Sequence, residues 1–156
     1  MQIIEDRRAL HMIPELDRKL PKTMAYLTAG LEGLNCQVFS PMEGALCAWF
    51  DFGREEALAI RADIDALPLT ECTGLPFASQ NPGVAHSCGH DTHAAMLLGA
   101  AKGLSQNKDK LHGKVKLLFQ PSEEGAVSGA KMMAENGCLE GVDRVMCVHC
   151  EGAVPS

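Results

Sequence analysis

The sequence has no apolar stretch long enough to cross a bilayer. Its longest run covers residues 94–101, whereas a spanning helix needs roughly 20 apolar residues. It is also short of positive charge, with 14 Lys and Arg against 20 Asp and Glu and a net charge of −6. That balance argues against nucleic acid or an anionic membrane as the main partner. The first twenty residues are heavily charged and lack an apolar h-region, so no secretory signal is read and a cytoplasmic location is expected. There is no internal repeat and no low-complexity tract. Aromatics are few, at 4% beside 46% apolar residues, a composition ordinary for a soluble α/β domain. Cysteine is not scarce, but seven is an odd number. Without an export signal, these are expected to be reduced thiols, most of them filling small core positions.

The 156 residues are about one domain long and can bury a real core. An amphipathic stretch from Ile3 to Leu34, broken near Pro14, predicts one or two helices. Short strands are expected over residues 36–39, 46–52 and 57–64, followed by a long ordered loop over 66–89 rich in Pro, Gly, Thr and Ser. Asp91 is placed to cap a nearly all-apolar, buried helix over Thr92–Leu104. A strand over Lys114–Phe119, a helix over Gly125–Asn136 stopped by Gly137, and a buried strand over Arg144–Val148 complete the pattern. Alternating strands and helices with apolar strands predict an α/β fold: a three-layer α/β/α sandwich with a mixed, mostly parallel sheet. The final Ala153-Val154-Pro155-Ser156 lies just beyond a strand without a closing helix. That ending is expected to be a truncation or the edge of a fragment rather than a natural terminus.

Residues of metal-binding type occur at four strand or loop ends, where α/β folds gather their ligands. In His86-Ser87-Cys88-Gly89-His90-Asp91, a thiol and an imidazole stand two residues apart on a glycine-containing loop, a pairing suited to zinc and similar ions. His86 and His93 are as consistent with packing or support as with ligation. Glu123 and Glu124 follow a buried strand, where two adjacent carboxylates would repel each other unless a dication lay beside them. They could equally enrich the first turn of the next helix. His149 ends an apolar strand between Cys147 and Cys150. A redox C-x-x-C reading is disfavoured there, because such motifs open a helix rather than end a strand. Asp63, in Arg61-Ala62-Asp63-Ile64-Asp65, could orient a ligand histidine or merely pair with Arg61.

Four motifs, RALHMIPEL (Arg8–Leu16), RADIDALP (Arg61–Pro68), HSCGHDTHAAMLLGAA (His86–Ala101) and LLFQPSEEG (Leu117–Gly125), occur in this order. Together they resemble the hippurate hydrolase and N-acyl-L-amino-acid amidohydrolase branch of the dinuclear aminoacylase-like metallopeptidases. The likeness runs from about Arg7 to His149. It implies the zinc-exopeptidase type of fold and two divalent metal ions, zinc or manganese, with cobalt or nickel as alternatives. It implies metal ligation by Cys88, His90, Glu124 and His149, with Glu123 as general base and Asp63 as part of the catalytic site. The implied reaction is hydrolysis of a small N-acyl amino acid to a carboxylic acid and an amino acid. Two features depart from that branch. The lid or dimerisation domain, through which the parent enzyme is expected to form a homodimer, has no counterpart here, and neither does the later segment with a final histidine. The surroundings of His149, Val148-His149-Cys150-Glu151, also differ from the usual pattern. The alternative is a catalytically inactive folded fragment that binds one metal or none.

Overall fold

Residues alternate in side along each central strand, and this computed structural model, which describes residues 2–150, shows both sides in use. The elements are helices α1 (Gln2–His11) and α2 (Pro21–Leu31), strands β1 (Gln37–Phe39), β2 (Leu46–Asp51) and β3 (Ala57–Asp63), helix α3 (His90–Gln106), strand β4 (Lys114–Gln120), helix α4 (Gly129–Glu135) and strand β5 (Arg144–Cys147). The sheet order is β1-β2-β4-β3-β5. β2 is antiparallel to β1 and β4, while β3 runs parallel to β4 and β5. Four strands therefore share one direction and β2 opposes them, which is the mixed, mostly parallel α/β sheet expected.

On one face, Leu46, Ala48, Phe50, Leu117 and Phe119 pack against Leu10 of α1, Leu27 and Leu31 of α2, and Ala94, Leu98 and Ala101 of α3. This apolar layer excludes water from the larger core, the dominant favourable contribution to the fold. The opposite face is thinner: Cys47, Ala59 and Leu118 meet Met133 of α4 and Cys138. The seven cysteines are all free thiols. Among the described residues, no helix is long and apolar enough to cross a membrane.

Three local expectations change. The apolar stretch at Arg144–Cys147 does form a strand, but all four of its residues are exposed. It is an edge strand paired to β3 alone among the described residues. The last helix begins at Gly129 rather than Gly125, because the preceding residues are held in a tight turn and Ser128 caps the helix through Lys131 N. Asp91 does not cap α3; Gly89, at φ 85°, occupies that position. The Asp91 carboxylate is buried instead and accepts from His11 Nδ1 (2.6 Å) and Arg7 Nε (2.8 Å) of α1. The expectation drawn from residues 153–156 lies outside the described residues.

The connections from the adjacent parallel strands β3 and β4 run through α3 on one face and α4 on the other. Where successive crossovers leave to opposite faces, a crevice opens beyond the carboxyl ends of the strands. Asp63, Gln120 and Cys147 mark those ends.

Candidate metal centre

The long loop over residues 64–89 carries the chain back from β3 to the start of α3 and is fixed by the bridges Leu16–Ala66 and Leu67–Ala85. It delivers Cys88 and His90 to the crevice. Glu123 and Glu124 follow β4, and His149 follows β5. With Asp63 at the end of β3, every site residue expected from the sequence meets there. Three overlapping sets each offer ligand atoms within 4.8 Å of one another: Cys88, His90 and His149; His90, Glu123 and Glu124; and Asp63, His90 and His93. Cys88 Sγ lies 3.5 Å from His149 Nε2, and Glu123 Oε2 lies 3.8 Å from His90 Nε2.

His90 is the common member, and its hydrogen bonds specify which ring nitrogen faces the site. Nδ1 lies 2.9 Å from the Asp65 carbonyl oxygen, an acceptor only, so Nδ1 carries the proton. In the neutral ring Nε2 is then a lone pair, buried and without a hydrogen-bond partner among the described residues. A buried imidazole lone pair left open while its other nitrogen is pinned to a carbonyl is the arrangement of a metal-ligating histidine.

Asp65, to which the sequence alone assigns no role, organises the rest. Its side chain is buried, with Oδ1 accepting from Glu123 N (3.1 Å) and Oδ2 from Glu124 N (3.0 Å). One residue thus holds His90 by its carbonyl and the two glutamates by its carboxylate. The turn carrying the glutamates is tightened by Ser122 (φ 54°), whose Oγ donates to Val127 O and whose N donates to Asp17 O. A non-glycine residue at positive φ is strained and is retained where surrounding contacts over-determine it. Gly129 is required at the end of this turn, since an added Cβ would collide with the Pro121 carbonyl oxygen.

The charges make the pocket receptive to a cation. Burial first, then the Glu124, Glu123 and Asp63 carboxylates, pushes the Cys88 thiol up to about 11. A dication beside the sulfur would reverse this, because coordination deprotonates a thiol. Burial opposes a charge on His90, yet Asp65 and Asp63 override it and hold that ring above its ordinary value. Burial would also raise the Asp63 carboxyl, but His93, Arg61 and His90 hold it low. Thiol, imidazole and carboxylate donors around an unpartnered buried nitrogen fit a transition-type divalent ion.

His86 is buried with neither ring nitrogen hydrogen-bonded among the described residues. Burial pulls its pKa down to about 4 from 6.5, with Asp91 opposing and His11 reinforcing the shift. The unfolded chain therefore takes up a proton near pH 6.5 that the folded chain refuses until about pH 4. Stability from this residue is complete above the upper value and is lost as pH falls to the lower, about 3 kcal/mol in all. His86→Leu should flatten that part of the acid slope in urea unfolding measured near neutrality and near pH 4. Equal losses in both proteins would show that His86 does not set the slope.

A family model described as Peptidase family M20/M25/M40 matches residues 59–156. The chain is 46% identical over 151 residues to an N-acetyl-L-cysteine deacetylase of Bacillus subtilis, covering 95% of this chain and 36% of that protein. It is 41% identical over 150 residues to an N-acyl-L-amino acid amidohydrolase of Geobacillus stearothermophilus, covering 94% and 40% respectively. Its structure superposes with a TM-score of 0.88 and 39% identity on the YxeP protein of Bacillus subtilis, described as a dinuclear metal binding peptidase of the M20 family. That superposition covers 98% of this chain and 44% of the other. The chain thus spans well under half the length of these relatives. With more than half of its own length matched by the family model, it belongs to peptidase family M20/M25/M40.

Proposed function

We propose that residues 1–156 are the N-terminal portion of the catalytic domain of a metal-dependent amidohydrolase that converts N-acyl amino acids to a carboxylic acid and a free amino acid. The observation that carries this reading is the open, buried Nε2 of His90 within the two ligand sets that also contain Cys88, His149, Glu123 and Glu124. The names of the relatives, a deacetylase of N-acetyl-L-cysteine and an amidohydrolase of N-acyl-L-amino acids, support the substrate class. Cys88, His90, Glu124 and His149 would hold two divalent ions, zinc or manganese with cobalt or nickel as alternatives. Such ions supply Lewis acidity towards a water molecule and the amide carbonyl.

The chain's own residues handle the proton. Glu123 is partly exposed at the crevice and faces the His90 imidazole, while its backbone is clamped by Asp65. It takes a proton from the attacking water and delivers it to the leaving nitrogen as the C–N bond breaks, so one carboxylate serves as base and then as acid. Asp63 is held by Arg61 and faces His90 and His93, keeping negative charge beside both rings. The assay is release of free amino acid from N-acetyl and N-benzoyl amino acids by the enzyme carrying this chain. A metal-loaded enzyme that releases none overturns the reading.

A further inference from the structure

We infer that His93 is a positioning residue that tethers the chain at His149 by accepting the Cys150 backbone N–H. This rests on the reading of His149 as a metal ligand. His93 lies one turn into α3 and is buried, with its Nε2 2.9 Å from Cys150 N. An imidazole nitrogen that accepts an N–H commits its lone pair, so the proton of the neutral ring sits on Nδ1. That nitrogen is buried, without a hydrogen-bond partner among the described residues, and 3.8 Å from Asp63 Oδ2.

The contrast with His90 decides what each ring does. Both carry the proton on Nδ1, but the Nε2 lone pair of His90 is free, whereas that of His93 is occupied by Cys150. His93 therefore sits among atoms spaced for a metal and orients the site without ligating. The ordering extends further: the Arg61 Nε donates to Gln120 Oε1 at 2.7 Å, and its guanidinium pairs with Asp63, which faces His93. Strands β3 and β4 are thus connected through α3 to the segment after β5.

His149 needs such a tether. The strand before it is exposed at every residue. The His149 ring meets His93 edge-on, with centroids 4.8 Å apart, which adds a second contact from the same residue. Cys150 also packs closely over Gly89, where an added Cβ would lie 3.2 Å from the Cys150 Cβ. Removing the acceptor at position 93 frees the His149–Cys150 segment while Cys88, His90 and Glu124 stay in place.

Three substitutions separate the tether from mere filling of space. His93→Gln is the rescue variant, because its amide oxygen reaches the place of Nε2 without reproducing the shape of the ring. His93→Asn is too short to reach, and His93→Leu has no acceptor. The readouts are hydrogen exchange at the Cys150 amide, the His93 tautomer from long-range nitrogen–proton NMR correlations, and Co(II) affinity. The wild-type chain should show His93 protonated on Nδ1. Exchange at Cys150 should rise about tenfold in His93→Leu and His93→Asn, the order expected for losing one hydrogen bond. Co(II) affinity should fall about 10–100-fold in the same two variants, as when an orienting partner of a ligand is lost. His93→Gln should restore both. A ring protonated on Nε2, unchanged exchange in His93→Leu, or a His93→Gln variant indistinguishable from His93→Leu would overturn the inference. A wild-type chain that binds no Co(II) would overturn the metal reading, whereas the tautomer and the exchange still decide the tether.

Discussion

Glu123→Gln is expected to lower kcat for N-acyl amino acid hydrolysis by about 10²–10⁴-fold, the range for loss of a positioned general base. KM and metal content should change little. The substitution keeps the length of the side chain and the backbone N–H that Asp65 accepts, and removes only the capacity to take up a proton. Glu123 is the base that the family resemblance implies, and its position suits that role. Its Oε2 lies beside the open nitrogen of His90, and its side chain is 39% exposed, so water and substrate can reach it. Metal analysis beside steady-state kinetics makes the outcome readable. Turnover within about threefold of wild type, at equal metal content, would take the proton-transfer role away from Glu123.

Asp65→Ala should affect both stability and metal binding. The carboxylate is buried and satisfies the Glu123 and Glu124 amides, so truncation leaves two part-buried backbone donors without their acceptor. Each costs about 1–3 kcal/mol, giving a loss of about 3 kcal/mol in urea unfolding. Metal affinity should fall by about 10–100-fold as Glu124 loses its fixed backbone. Asp65→Asn keeps one acceptor oxygen but turns an NH₂ towards the other amide, so it should lie between wild type and Asp65→Ala. An Asp65→Ala variant within about 0.5 kcal/mol of wild type, with unchanged metal affinity, would show that the clamp has no such role.

Much of the candidate site is legible in the sequence because its proposed ligands come as local clusters at strand ends. Cys88 and His90 are two residues apart, Glu123 and Glu124 are adjacent, and His149 comes shortly after a strand. The residues that support them are not legible in the same way. Asp65 resembles Asp63 in the sequence, and its role appears only once β3 is paired with β4 so that Asp63 lies opposite Gln120. That register brings Asp65 beside the two glutamates, 58 and 59 residues further along the chain. His93 carries one usable signal, since three residues after His90 on a helix it must share that ring's face. Its acceptor role depends on Cys150, 57 residues away. Asp91 illustrates the same limit. Its local position suggests a cap, whereas Arg7 and His11 of α1 claim its carboxylate. The apolar pattern of β5 predicts a strand correctly, but burial depends on what packs over a strand, which its own residues do not encode.

Whether Cys88 and His90 belong to one divalent-metal site is tested most directly by Co(II) titration of the chain, followed by absorption. A thiolate ligand gives a near-ultraviolet charge-transfer band, distinct from the weaker visible bands of the ion itself. That band should grow to saturation in the wild type. Cys88→Ser should lose it while His90, Glu124 and His149 retain weaker cobalt binding in the visible region. No charge-transfer band in the wild type, or an unchanged band in Cys88→Ser, would contradict the shared site.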